Sequence, residues 1–217
     1  MRTFDRRVVP ESVLRFLRAA YEHSGSHLAG GAALSGVHLG HRLSGDVDLF
    51  IHERERHREL VAALETVARK ADASITIVRD AGEHVRAMLT AADGTSIAVD
   101  LVHEPVPDIE RNADLVEGIL VESLADLRAA KLTCILNRTE PRDLVDLYFL
   151  DRAGYPPEKD LPLALTKDAG VDPGVLAWLL CQFPTAPLPL LLRPLDEAAL
   201  LAFRDGLAER FRRAAQP

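Results

Sequence analysis

Apolar positions recur along this chain with two different periods, and the change of period divides it. From Pro10 to Glu22, Val13, Leu14, Phe16 and Leu17 fall at helical spacing, and "HSGSH" stops the pattern. "HLAGGAALSGVHLGHRLSG" follows, a glycine pair leading into small and apolar residues, which predicts a tight turn opening a short helix. "DVDLFI" then alternates as a strand, and "ERERHRELVAALETVARKA" returns to spacings of three and four, the signature of a surface helix. "SITIVRD" and "HVRAMLTAADGTSIAVDLVHE" supply three further strands, the last two joined through Asp93 and Gly94 as a hairpin.

Beyond these strands the pattern is almost wholly helical. A helix is expected after the serine cap at Ser123, through "LADLRAAKLTCILNR", and another from Pro141, through "PRDLVDLYFLDRAG". "GYPPEKDLP" and "FPTAPLPL" read as proline-rich turns between later helices, and Trp178 and Phe183, in an apolar helix pattern, read as core. The expected plan is an α/β (α+β) fold: a mixed sheet with flanking helices over residues 1–121, then a helical domain over 122–217.

Composition narrows the class. The chain has 217 residues, 47% hydrophobic and 27% charged, and its apolar runs fall short of the roughly 20 residues of a membrane span. The charged N-terminus lacks the apolar core of a secretory signal. Cys134 and Cys181 lie far apart in helical patterns, which suits buried free thiols in a reducing cytoplasm. A net charge of −7 argues against a protein that coats nucleic acid through a general basic field, although a local basic groove is compatible with it. None of the eight histidines pairs at a convincing zinc spacing with a third ligand, and no serine sits in a G-x-S-x-G elbow.

The chemistry concentrates in carboxylates. Asp46 and Asp48 open a strand two residues apart, so both project from one face and repel unless a cation sits between them. Asp100, in "SIAVDLVHE", brings a third acid to the sheet. Three such oxygen ligands suit one or two magnesium ions and hence phosphoryl or nucleotidyl transfer, with Asp100 also a candidate proton acceptor. The same acids are also compatible with a turn cap and edge-strand charges. Gly30 and Gly31 admit either a simple tight turn or backbone donors brought close to a phosphate. Lys131 and Asp146, each set among apolar residues, need partners, either one another as a helix clamp or a triphosphate and metal. Arg138, Arg142 and Asp143 read as supporting salt-bridge residues, with Arg142 a possible substrate contact.

"AGGAALSGVHLGHRLSGDVDLFI" resembles the first motif of the AbiEii/AbiGii toxin family of the nucleotidyltransferase superfamily: a glycine pair or Gly-Ser, a small helix, and an Arg-x-Ser segment leading into Asp-x-Asp. "DLRAAKLTCILNRTEPRDLVDLYFL" is similar to the family's second signature, a helix Lys, an Arg, and Arg-Asp-x-x-Asp. The two matches span roughly residues 28 to 150. The resemblance implies a nucleotidyltransferase fold in which Asp46 and Asp48, with Asp100 by strand context, bind Mg2+. It further implies that Gly30, Gly31 and Lys131 meet the triphosphate, that Arg42 and Ser44 belong to the nucleotide site, and that Asp146 closes a cleft completed by the helical domain. Gly31 departs from the serine of many relatives, losing a hydroxyl and keeping the backbone donors.

The implied function is that of a cytoplasmic toxin of a toxin–antitoxin pair, with a cognate antitoxin as partner, moving NMP from NTP to an RNA such as tRNA. A small-molecule acceptor of aminoglycoside type or a protein side chain is the alternative acceptor. A catalytically silent binding module is the alternative of another class.

Overall fold

The computed structural model describes residues 2–110 and 114–216. The chain forms two compact units, Met1–Ser123 and Leu124–Pro217. The first is α/β. Helix α1 (Glu11–Ser24) buries Val13, Leu14, Phe16, Leu17 and Ala20, and ends at Gly25, whose φ of 70° lets its N–H donate to the Tyr21 carbonyl. A short strand β1 (His27–Ala29) runs into helix α2 (Gly30–Ala33), which widens into a π-helical turn over Leu34–Leu39. Strand β2 (Asp46–Ile51), helix α3 (Arg54–Lys70), and strands β3 (Ala73–Asp80), β4 (His84–Ala91) and β5 (Ser96–His103) follow, then the short strands β6 (Asp114–Val116) and β7 (Ile119–Val121).

These strands form one sheet ordered β3-β4-β5-β2-β1-β7-β6. The β2–β5 and β1–β7 pairs are parallel and the others antiparallel, so the sheet is mixed. Register aligns the apolar face: Val47 lies beside Val99 and Val99 beside Ala87, while Leu49 lies beside Leu101 and Leu101 beside Val85. All six side chains are buried. Helix α3 contributes Leu60, Leu64 and Val67 and packs on α1 and on β2, β3 and β5. Each fully buried Leu or Val contributes about 1.5–3 kcal/mol, which pins the register and so sends the alternate residues, Asp46, Asp48 and Phe50, to the other face.

The second unit is helical: α4 (Leu124–Asn137), α5 (Pro141–Arg152), a 3-10 turn (Pro157–Asp160), α6 (Leu161–Lys167), α7 (Pro173–Leu180) and α8 (Glu197–Ala214). Asp172 and Asp196 cap α7 and α8 by accepting the N–H groups of Val175 and Ala199 at 2.9 and 2.7 Å. Helix α4 packs on α5, α6 and α7, and α7 on α8. Among the described residues no helix is long and apolar enough to cross a membrane.

The mixed sheet, the four long strands and the helices around them match the reading from periodicity. Four details differ. The stretch after β5 contains β6 and β7 before any helix begins. "GYPPEKDLP" does not merely turn the chain, because Pro157 and Pro162 start a 3-10 turn and α6, where a missing N–H costs nothing. Phe183 is core, but Trp178 is 65% exposed. Both cysteines are free, but Cys181 is exposed and only Cys134 is partly buried.

Candidate active site

Strand register assembles the first cluster. Strand β1 runs antiparallel to β2 with Ala29 opposite Asp48, so the chain turns at Gly30 directly over that carboxylate. Gly30 has φ of 64°, and a Cβ built there overlaps the Asp48 carboxylate. A Cβ at Gly31 would lie 2.6 Å from Arg42 Nη2 and 3.2 Å from Ser44 Oγ. Only a bare backbone fits between these groups.

Arg42 is one of the largest fully buried side chains. Its Nη1 donates to the Leu43 carbonyl at 2.9 Å. Ser35 locks its backbone, donating Oγ–H to the Arg42 carbonyl at 2.6 Å and accepting the Arg42 N–H at 3.2 Å. Ser44 Oγ lies 3.4 Å from Asp46 Oδ1. Gly30, Gly31, Arg42, Ser44, Asp46 and Asp48 therefore form one contiguous set, built from a turn, a buried arginine and the start of a strand.

Asp100 enters from β5, paired with Asp48 in the parallel register, so the two side chains share a face. Its Oδ1 accepts from His84 Nε2 and its Oδ2 from Arg86 Nη1, both at 2.7 Å. His84 and Arg86 were not singled out by sequence. The signal was their i, i+2 spacing in "HVR", which puts both on the face of β4 that borders Asp100.

Asp46 and Asp48 offer half-buried oxygen donors on one face beside a glycine cradle, a set that fits a hard divalent cation. Each oxygen of Asp100 already accepts one hydrogen bond, from His84 or from Arg86, so a cation bound there would share its carboxylate with both.

The second signature builds a separate cluster within the helical unit. Lys131 of α4 is buried, and its Nζ lies 2.6 Å from Asp146 Oδ2 and 3.0 Å from Asp143 Oδ1, both on α5. Arg138 grips Asp143 with Nε and Nη2 at 2.7 and 2.9 Å. Burial opposes ionisation of Asp143, but the Lys131 charge and the Arg138 hydrogen bonds outweigh it and hold the carboxyl below its ordinary value. The sequence placed Lys131 and Asp146 in mutual need of partners, and the structure adds Asp143 as the residue that links Lys131 to Arg138. Arg142 pairs with Glu140 at 2.6 Å.

Among solved structures the chain is similar to JHP933 from Helicobacter pylori, at 21% identity over 96% of this chain and 94% of that one, with a TM-score of 0.61. It is also similar to MenT4, a nucleotidyltransferase toxin from Mycobacterium tuberculosis H37Rv, at 19% identity over 94% of this chain and 87% of that one, with a TM-score of 0.61. These likenesses establish the fold. No curated protein sequence matches significantly. The profile of the nucleotidyl transferase AbiEii toxins of type IV toxin–antitoxin systems matches residues 15–217, nearly the whole chain, and the protein therefore belongs to that nucleotidyltransferase family.

Proposed function

We propose that this enzyme transfers a nucleoside monophosphate from NTP to an RNA hydroxyl, with tRNA the expected acceptor, and that it acts in the cytoplasm under the control of a cognate antitoxin. The observation that carries the chemistry is the turn at Gly30, which brings bare backbone against Asp48 and leaves Arg42 and Ser44 beside Gly31. In this reading Asp46 and Asp48 hold Mg2+, with Asp100 as the third acid. When bound, that cation supplies charge neutralisation to the triphosphate. Gly30 and Gly31 present backbone N–H groups to phosphate, and Arg42 and Ser44 fix the Gly31 side of the nucleotide pocket. The acceptor oxygen forms a bond to the α-phosphorus, the bond to pyrophosphate breaks, and the hydroxyl proton leaves to a carboxylate or to solvent. The roles of Lys131 at the triphosphate and of Asp146 in closing the site are proposed on the family signature alone.

The net charge of −7 favours a second acceptor class, a small molecule or a protein side chain, because an acidic protein attracts RNA only through local patches. One experiment separates these readings. Purified protein is incubated with each α-labelled NTP and Mg2+, against total RNA, protein lysate and aminoglycosides. Label in RNA, lost on chelation and in Asp46→Asn and Asp48→Asn variants that remain folded, is the expected result. Label in protein or aminoglycoside moves the acceptor and keeps the chemistry. No transfer to any acceptor, with no NTP binding, identifies a silent binding module.

A further inference from the structure

The histidines that sequence spacing dismissed regain interest in three dimensions. His27 on β1 and His52, just past the end of β2, face each other with ring centroids 5.1 Å apart. Asp108, in the segment after β5, brings Oδ2 to 3.2 Å from His52 Nε2. One potential ligand atom from each of the three lies within 4.8 Å of the others. We propose that His27, His52 and Asp108 form a binding site for a borderline divalent transition metal, zinc by preference, separate from the acids of the candidate active site.

The chemistry of the donors selects the metal class. Two imidazoles and one carboxylate suit zinc and its neighbours, whereas magnesium demands oxygen. Zinc bonds of about 2.0–2.1 Å in tetrahedral geometry put neighbouring ligand atoms roughly 3.3 Å apart, close to the spacing found between His52 and Asp108. The His52 tautomer is also prepared. Its Nδ1 sits 2.8 Å from the Glu104 carbonyl and donates to it, which leaves the Nε2 lone pair directed at Asp108. A lone pair facing a carboxylate is repulsive unless a cation lies between them, and the choice is a metal ion or a proton. Glu104 is itself held, its N–H donating to the Ile51 carbonyl at 3.0 Å, so this orienting carbonyl is part of the sheet edge. His27 is buried and lies edge-on to Phe50, which restrains its ring.

The site is distinct from the acids. Along β2, His52 lies four residues from Asp48, roughly 13 Å at strand rise. Three protein ligands leave a fourth position for water, and the metal pins the segment after β5 to the ends of β1 and β2.

The test uses full-length protein without a polyhistidine tag, stripped by chelation and dialysed. Titration with Co2+ should give one equivalent of the intense visible absorption of a low-symmetry four-coordinate site, bleached by Zn2+ and untouched by excess Mg2+. The melting temperature of the wild type should rise with Zn2+. His52→Gln and Asp108→Asn, checked for folding by circular dichroism, should weaken cobalt binding at least about 100-fold, since even supporting groups around a metal cost 10–100-fold. Asp46→Asn with Asp48→Asn should retain the spectrum. The wild-type titration needs no variant: no saturable cobalt spectrum and no zinc-dependent melting shift mean that a proton joins His52 to Asp108, and overturn the proposal. Cobalt binding unchanged in both variants, or lost with the Asp46 and Asp48 changes, overturns it equally.

Discussion

At Gly30, backbone conformation and chemistry make the same demand. A φ of 64° costs an L-residue about 1–2 kcal/mol, and a methyl group there would meet the Asp48 carboxylate. Gly30→Ala should therefore lower the melting temperature by several degrees and abolish nucleotide transfer, since Asp48 must swing away. Unchanged transfer in Gly30→Ala would separate the turn from the chemistry. Gly31 is constrained differently: its would-be Cβ meets the guanidinium of buried Arg42, 2.6 Å from Nη2. Gly31→Ala should cost about 1–3 kcal/mol by overpacking, measured by denaturant unfolding. His38, in the π-helical turn, makes a residue-scale prediction in pH. Burial, and secondarily the charge of Arg2, lowers its pKa to about 4. The unfolded chain takes up this proton near pH 6.5 and the folded chain only near 4, so the penalty is absent above about 6.5 and grows as pH falls toward 4. For a partly exposed ring it should amount to roughly 1–2 kcal/mol after solvent screening. The loss of melting temperature between pH 8 and pH 5 should be smaller in His38→Gln than in the wild type.

At the scale of elements, two helices and two strands are held by ions rather than by apolar contacts alone. The pairing of Lys131 on α4 with Asp143 and Asp146 on α5 is buried, so Asp143→Asn should cost about 3–5 kcal/mol by leaving cations undercompensated. The folded pKa of Asp143 is depressed, so its stabilisation is complete above the unfolded value near 3.9 and is lost as pH falls through the folded value. Asp143→Asn should flatten the acid limb of the melting profile below about pH 4. On the sheet, Arg86→Ala frees one oxygen of Asp100. If Asp100 is a metal ligand, the variant should need less Mg2+ for half-maximal transfer, and an unchanged requirement would remove Asp100 from the ligand set. Legibility follows the same scale. Strands β2 to β5 were readable because six or eight alternating residues outlast chance, and Asp93-Gly94 marks their last hairpin. Strands β1, β6 and β7 have three residues each, too few to show a period, and all of "HLA" is buried. Helix α7 is apolar on every face, so periodicity had no way to send Trp178 outward. The paired acids were legible because strand geometry is local. The meeting of His27, His52 and Asp108 depends on register between distant segments, which spacing does not encode.

At the scale of the molecule, the order of strands differs from the order of synthesis. Strands β3, β4 and β5 join by hairpins, but β5 must then find β2, matching Asp46–Ile51 with Ala98–His103, and β1 must find β7 through Leu28 and Val121. Contacts between near neighbours form before distant ones, because loop closure must be met before the distant contact rewards it. Pulse-labelling hydrogen exchange during refolding should therefore protect amides of β4 before those of β1, and the reverse order would contradict the topology. The consequence reaches the ribosome. Asp48 and Asp100 become neighbours only when the chain has grown past residue 103, and the turn over Asp48 is flanked on its far side only once residue 121 has emerged. A half-made copy thus carries the first motif without its neighbouring strands, and if the acids of that motif hold the catalytic cation, nucleotide transfer must wait for a finished sheet.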